Sequence, residues 1–74
     1  MKVYLTKKNC GKFIVITSKY NEDIKIGNIN AKSLYSVMSL ELPNEYEVTI
    51  LTNDTSKSEA FYKEIEVFNK ENKQ

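Results

Sequence analysis

Histidine and arginine are both absent from this 74-residue chain, and cysteine occurs once, at Cys10. With one thiol and no imidazole, no internal disulfide can form and no zinc site of the usual cysteine-and-histidine kind can be assembled. A solitary thiol fits a reducing compartment. All 11 basic residues are lysine, so bidentate guanidinium clamps on phosphate or carboxylate are ruled out and only point-charge contacts remain. Ten acidic residues bring the net charge to +1, at odds with a protein whose affinity rests on neutralising nucleic-acid phosphates. Long apolar runs are missing too. The longest, Phe13-Ile14-Val15-Ile16, is far too short to span a membrane, and Met1 to Lys12 has no apolar stretch of the signal-peptide kind. A cytoplasmic protein with neither nucleic-acid nor membrane partners is expected.

What is present is ordinary for one globular domain: 41% apolar and 28% charged residues. The whole chain, 1–74, is expected to form it. At this length folding hides only roughly 60% of the surface of the unfolded chain. A deep catalytic cavity would have to be cut from a thin core, so a binding surface is expected rather than an enzyme, with no cofactor or metal. The carboxylate pairs Glu45/Glu47 and Glu64/Glu66 have no base or metal ligand beside them and read as surface charge. Gly11 and Gly27 are isolated, so there is no glycine-rich phosphate loop.

Val3-Tyr4-Leu5 reads as a short first strand, broken by Lys7-Lys8-Asn9. The segment Asn9 to Tyr20 is ambiguous. Its β-branched run from Ile14 to Thr17 favours a strand, and on local propensity a strand is the better reading. Asn9 is nevertheless a good helix cap, and Phe13, Ile16, Thr17 and Tyr20 recur at helical spacing. Ile24 to Ala31 alternates apolar and polar residues about Gly27-Asn28, a two-residue link suited to a primed hairpin turn. Ser33 is the N-cap candidate of a short helix, Leu34 to Leu40, which Pro43 keeps from running on. Glu45 to Thr52 is a strand with Tyr46, Val48 and Ile50 on one face. Asn53-Asp54-Thr55 is a turn, and Ser56 to Glu59 fits a capping box for a last helix. That helix carries the stripe Phe61, Ile65, Phe68 at i, i+4, i+7, and the polar tail Asn69 to Gln74 is expected to fray.

The stretch Ile29-Asn30-Ala31-Lys32-Ser33-Leu34-Tyr35-Ser36-Val37-Met38-Ser39-Leu40 resembles the HPr family of phosphocarrier proteins around its regulatory serine, most closely the Gram-positive members. The similarity extends through Glu47-Val48-Thr49-Ile50 into the last helix, and upstream over Ser18 to Ile24. It covers the chain from about Ile14 to Phe68. The resemblance implies an α+β open-faced sandwich, a four-stranded antiparallel sheet with three helices on one face, and a link to the sugar phosphotransferase system. It also implies that Asn9 to Tyr20 is a helix, against local propensity.

The departures from the family lie where its chemistry lies. The family's active loop, between first strand and first helix, carries a phosphorylated histidine followed by an arginine. Here the loop is shortened to Thr6-Lys7-Lys8-Asn9-Cys10-Gly11 and holds neither. Glu41 replaces a usual glycine after the short helix, removing an easy C-cap. Without an imidazole nucleophile the histidine-carrier reaction is excluded. The resemblance then implies a non-enzymatic, HPr-like protein-binding regulator. Ser33 is its possible phosphorylation site, and its partners would be proteins such as an HPr-kinase-like enzyme or a transcriptional regulator.

Each candidate residue has a plainer reading. Ser33 as a cap stabilises a helix by about 1 kcal/mol with no phosphate involved. Val37 and Leu40 should enter the core, which leaves Leu34, Tyr35 and Met38 on the surface as a docking patch; the plainer reading makes them a slightly larger core or a dimer contact. Cys10, at the start of the first helix beside Lys7, Lys8 and Lys12, is an alternative phosphoacceptor if its thiol is activated; otherwise it is a small, partly buried apolar side chain. The three lysines read as a solvated face.

Overall fold

A computed structural model describes residues 1–69 of the chain. Four strands and three helices follow one another as β1 (Lys2–Leu5), α1 (Cys10–Ser18), β2 (Asp23–Ile26), β3 (Ile29–Asn30), α2 (Leu34–Met38), β4 (Asn44–Leu51) and α3 (Thr55–Ile65), with a last 3-10 turn at Glu66–Phe68. The sheet order is β1-β4-β2-β3 and each neighbouring pair is antiparallel. β4 is central: Val3 faces Tyr46 on one side of it, and Ile24 faces Ile50 on the other.

Side chains alternate across the pleat, so one face of the sheet collects the apolar residues. Val3, Leu5, Ile24, Ile26, Val48 and Ile50 are buried there, while Lys2, Asp23, Lys25, Glu45, Glu47 and Thr49 are exposed. The helices cover the apolar face with Phe13 from α1, Val37 from α2, and Phe61 and Ile65 from α3. Phe68, from the last turn, meets Phe13 edge-on with centroids 5.8 Å apart, and Tyr20 meets Phe61 at 5.2 Å. This is the α+β open-faced sandwich that the family resemblance implies.

α1 is a helix, against the local reading of its β-branched run as a strand. Phe13 and Thr17, one turn apart, are both fully buried. Packing against the sheet outweighs the weak intrinsic preference of Ile14-Val15-Ile16-Thr17. The hairpin turn is as expected: Ile26 pairs with Ile29 across Gly27-Asn28, and Gly27 takes φ 59°, a conformation that side chains resist. α2 is shorter than expected, ending at Met38, with Leu40 half-buried against the core. The cap of α3 is also corrected. Asp54, not Ser56, stands at the N-cap, its Oδ1 accepting from the backbone N–H groups of Ser56 (2.9 Å) and Lys57 (3.3 Å). A carboxylate does this at least as well as a hydroxyl and also faces the positive end of the helix dipole. The tail expected to fray lies, apart from Asn69, outside the described residues.

Candidate functional site

The turn into α1 is closed on itself. The Thr6 hydroxyl accepts from the N–H groups of Lys8 (3.2 Å) and Asn9 (3.1 Å), and the Thr6 carbonyl accepts from Asn9 and Cys10. Asn9 sits at the N-cap position but does not cap. Its Oδ1 accepts from the N–H of Thr6 at 2.7 Å, and its Nδ2 donates to the Tyr4 carbonyl at 3.2 Å. Burial of the Asn9 amide makes these bonds costly to break. The backbone N–H groups of Thr6, Lys8, Asn9 and Cys10 are thus occupied within the turn itself.

Cys10 begins α1 as expected, but it is buried, with 4% of its surface exposed, and its thiol donates to the Lys7 carbonyl at 3.6 Å. That burial favours the plainer reading of the Cys10 thiol over the alternative of a phosphoacceptor. Cys10 fits the role of a small core side chain. Lys7, Lys8 and Lys12 are exposed, and none makes an ion pair among the described residues.

The turn into α2 is built differently. Ser33 is extended (φ −96°, ψ 114°), and its hydroxyl accepts from the N–H of Ser36 at 3.3 Å, capping the helix as expected. The preceding turn is held by two anchors. The Thr17 hydroxyl lies 3.0 Å from the carbonyls of both Ile14 and Ala31, tying the turn to α1. The ammonium of Lys32 donates to the Glu22 carbonyl at 3.3 Å. Beyond the cap, Val37 points into the core with no exposure, while Leu34 (47%), Tyr35 (89%) and Met38 (58%) stand in solvent. From Ser33 to Leu40 there is no charged residue.

A third feature left no mark in the sequence. Glu64 of α3 accepts from both the Lys19 ammonium and the Tyr20 hydroxyl, and Glu22 pairs with Lys57 at 2.7 Å. These bonds tie the end of α1 and the entry to β2 onto α3. Hydrogen bonds from Lys19 and Tyr20 hold the Glu64 carboxyl below its ordinary range, and the bond from Lys57 does the same for Glu22. Burial, reinforced by the bond to Glu64, pushes the Tyr20 hydroxyl up to about 12. The partners are 35 to 45 residues apart in sequence, with no periodicity to reveal them.

A scan against protein-family models matches residues 5–70 to PTS-HPr, described as the PTS HPr component phosphorylation site. The chain belongs to the HPr family. The match takes in both helix-entry turns, Ser33 and the exposed face of α2. No match is found among curated proteins or among solved structures. HPr is a component of the phosphotransferase system and a phosphocarrier rather than a catalytic enzyme, and HPr domains act by meeting other proteins. Among the described residues no helix is long and apolar enough to cross a membrane.

Proposed function

We propose that this HPr-family chain is a non-catalytic regulator that binds other proteins through Leu34, Tyr35 and Met38, with Ser33 as the residue an HPr-kinase-like enzyme phosphorylates. The observation that carries the reading is the exposure of three large apolar side chains beside a cap hydroxyl, on a helix whose remaining large apolar side chain, Val37, is fully buried. Tyrosine and methionine are suited to adaptable protein contacts. A phosphate on Ser33 would add about −1.5 to −2 charges next to that patch. Partners needing a dry apolar contact would be repelled, and partners with an arginine nearby would gain, so a transcriptional regulator or similar protein would be chosen by charge with little change of fold.

The absence of histidine and the closed turn at Thr6 to Asn9 support a role without phosphoryl transfer. Intact mass after incubation tests this. Phosphorylated Enzyme I should leave the mass unchanged. An HPr-kinase-type enzyme with ATP should add one phosphate to the wild type and none to Ser33→Ala. A phosphate gained from Enzyme I and lost in Cys10→Ser would replace the regulator with a cysteine carrier.

A further inference from the structure

Two methionines and one cysteine supply all the sulfur in this chain, and they differ in what can reach them. Cys10 is buried, with its thiol on the Lys7 carbonyl. Met1 packs against the core, and its side chain keeps 25% of its surface. Met38 is the last residue of α2 and stands 58% exposed, on the side of that helix that also carries Leu34 and Tyr35. Its neighbour Val37 is the α2 residue that enters the core.

We infer that Met38 is an oxidation site for hydroperoxides, and that its sulfoxide turns the docking face of α2 polar. The inference rests on the docking reading of that face and adds a second way of regulating it. The thioether sulfur attacks the hydroxyl oxygen of the peroxide, and an S–O bond forms as the O–O bond breaks. Sulfur gives up two electrons and the peroxide accepts them. The proton of the transferred hydroxyl passes to the departing oxygen, which leaves as water or an alcohol. An accessible thiolate would compete for the oxidant, and the burial of Cys10 removes that competitor. The sulfoxide is polar where the thioether was apolar. A partner that covers it in a dry contact must bury its oxygen without a donor, which costs binding. Unlike a phosphate on Ser33, the change adds no charge, so it weakens apolar partners without offering arginine an anion. Because Met38 lies outside the core, the fold survives the change, and the sulfoxide stays within reach of the reductases that reverse it.

Hydrogen peroxide acting on the folded full chain, followed by intact mass and peptide mapping, tests the site. One oxygen, about 16 Da, should appear on Met38 at least ~5-fold faster than on Met1. Cys10 should still titrate as a free thiol once the treated protein is unfolded. A first oxygen on Met1, or loss of the Cys10 thiol as fast as Met38 is oxidised, overturns the inference. Hydrophobic-interaction chromatography tests the consequence. The oxidised chain and untreated Met38→Gln should both elute before wild type, and a methionine sulfoxide reductase with its thiol reductant should restore the original mass and retention. Retention that oxidation leaves unchanged overturns the switch. Urea midpoints of the oxidised and untreated chains should agree, and a large fall on oxidation makes Met38 a core residue and overturns the inference too. Tyr35→Ala, never exposed to peroxide, tests the docking reading separately. Earlier elution of that variant keeps the apolar face even when the oxidation order fails, whereas unchanged elution removes the face whatever the mapping shows.

Discussion

Two short turns lead into helices, and they use the same kinds of residue to opposite ends. At Thr6 to Asn9 the polar side chains turn inward: a hydroxyl and an amide take up the local backbone groups, and the amide is buried. At Asn30 to Ser33 one hydroxyl caps α2 from a partly exposed position, and the side chains that follow stand in water. In the HPr family the first turn is the place of histidine chemistry. Here it is a structural closure, and the surface beside the second is the one we propose meets another protein. Loss of the nucleophile and closure of the turn go together physically, because a shortened loop with no phosphoryl group to hold can satisfy its amides internally.

The comparison breaks most visibly at Asn9. Asn9→Ala removes both of its side-chain bonds and strands the Thr6 N–H and the Tyr4 carbonyl in a partly buried place. It should cost about 2–3 kcal/mol, read as a lower urea midpoint with an unchanged slope. A loss below about 0.5 kcal/mol, the level of an ordinary surface substitution, would show that the turn is not the closure described. Ser33→Ala should cost less, about 1 kcal/mol, since only one cap bond of 3.3 Å is lost.

Acid and base should act on neither turn first, but on the ties between α1 and α3. The carboxyls of Glu22 and Glu64 are held below their ordinary value of 4.5, so the unfolded chain binds protons before the folded one does. Their contribution is complete above pH 4.5 and is lost as pH falls through their lower folded values. Tyr20 works at the other end. Its folded value of about 12 exceeds the ordinary 10.0, so stability should decline as pH rises from 10 towards 12. Tyr20→Phe should flatten the alkaline limb, and Glu64→Gln the acid limb, in urea midpoints measured across pH. The smallest effect is expected at the face of α2: Tyr35→Ala and Met38→Ala should leave stability within about 0.5 kcal/mol of wild type while weakening protein binding.

Much of this architecture was legible as pattern. The stripe Phe61, Ile65, Phe68 and the alternation about Gly27-Asn28 are periodic signals, and burial follows them closely. The division of α2 into an inward Val37 and outward Leu34, Tyr35 and Met38 followed from helical spacing alone. Local propensity points to a strand for α1 because its residues are β-branched, while what holds it as a helix is distant: Phe13 against Phe68, and the Thr17 hydroxyl against Ala31. Pattern does not identify the cap of α3, because Asp54 and Ser56 are both good caps two positions apart and only backbone geometry chooses between them. The inward turn of Asn9 was hidden because the same side chain serves equally well as a helix cap.

The brevity of β3 has a consequence for life at high concentration. With Ile29 and Asn30 as its whole length, the strand at that end of the sheet offers a foreign chain almost no row of open amides to extend. Long, flat edges are where folded proteins recruit one another into aggregates, and a two-residue edge is a way of blunting that hazard. On that side of the molecule, recognition is left to side chains, which can be selective, rather than to backbone, which accepts almost any extended partner.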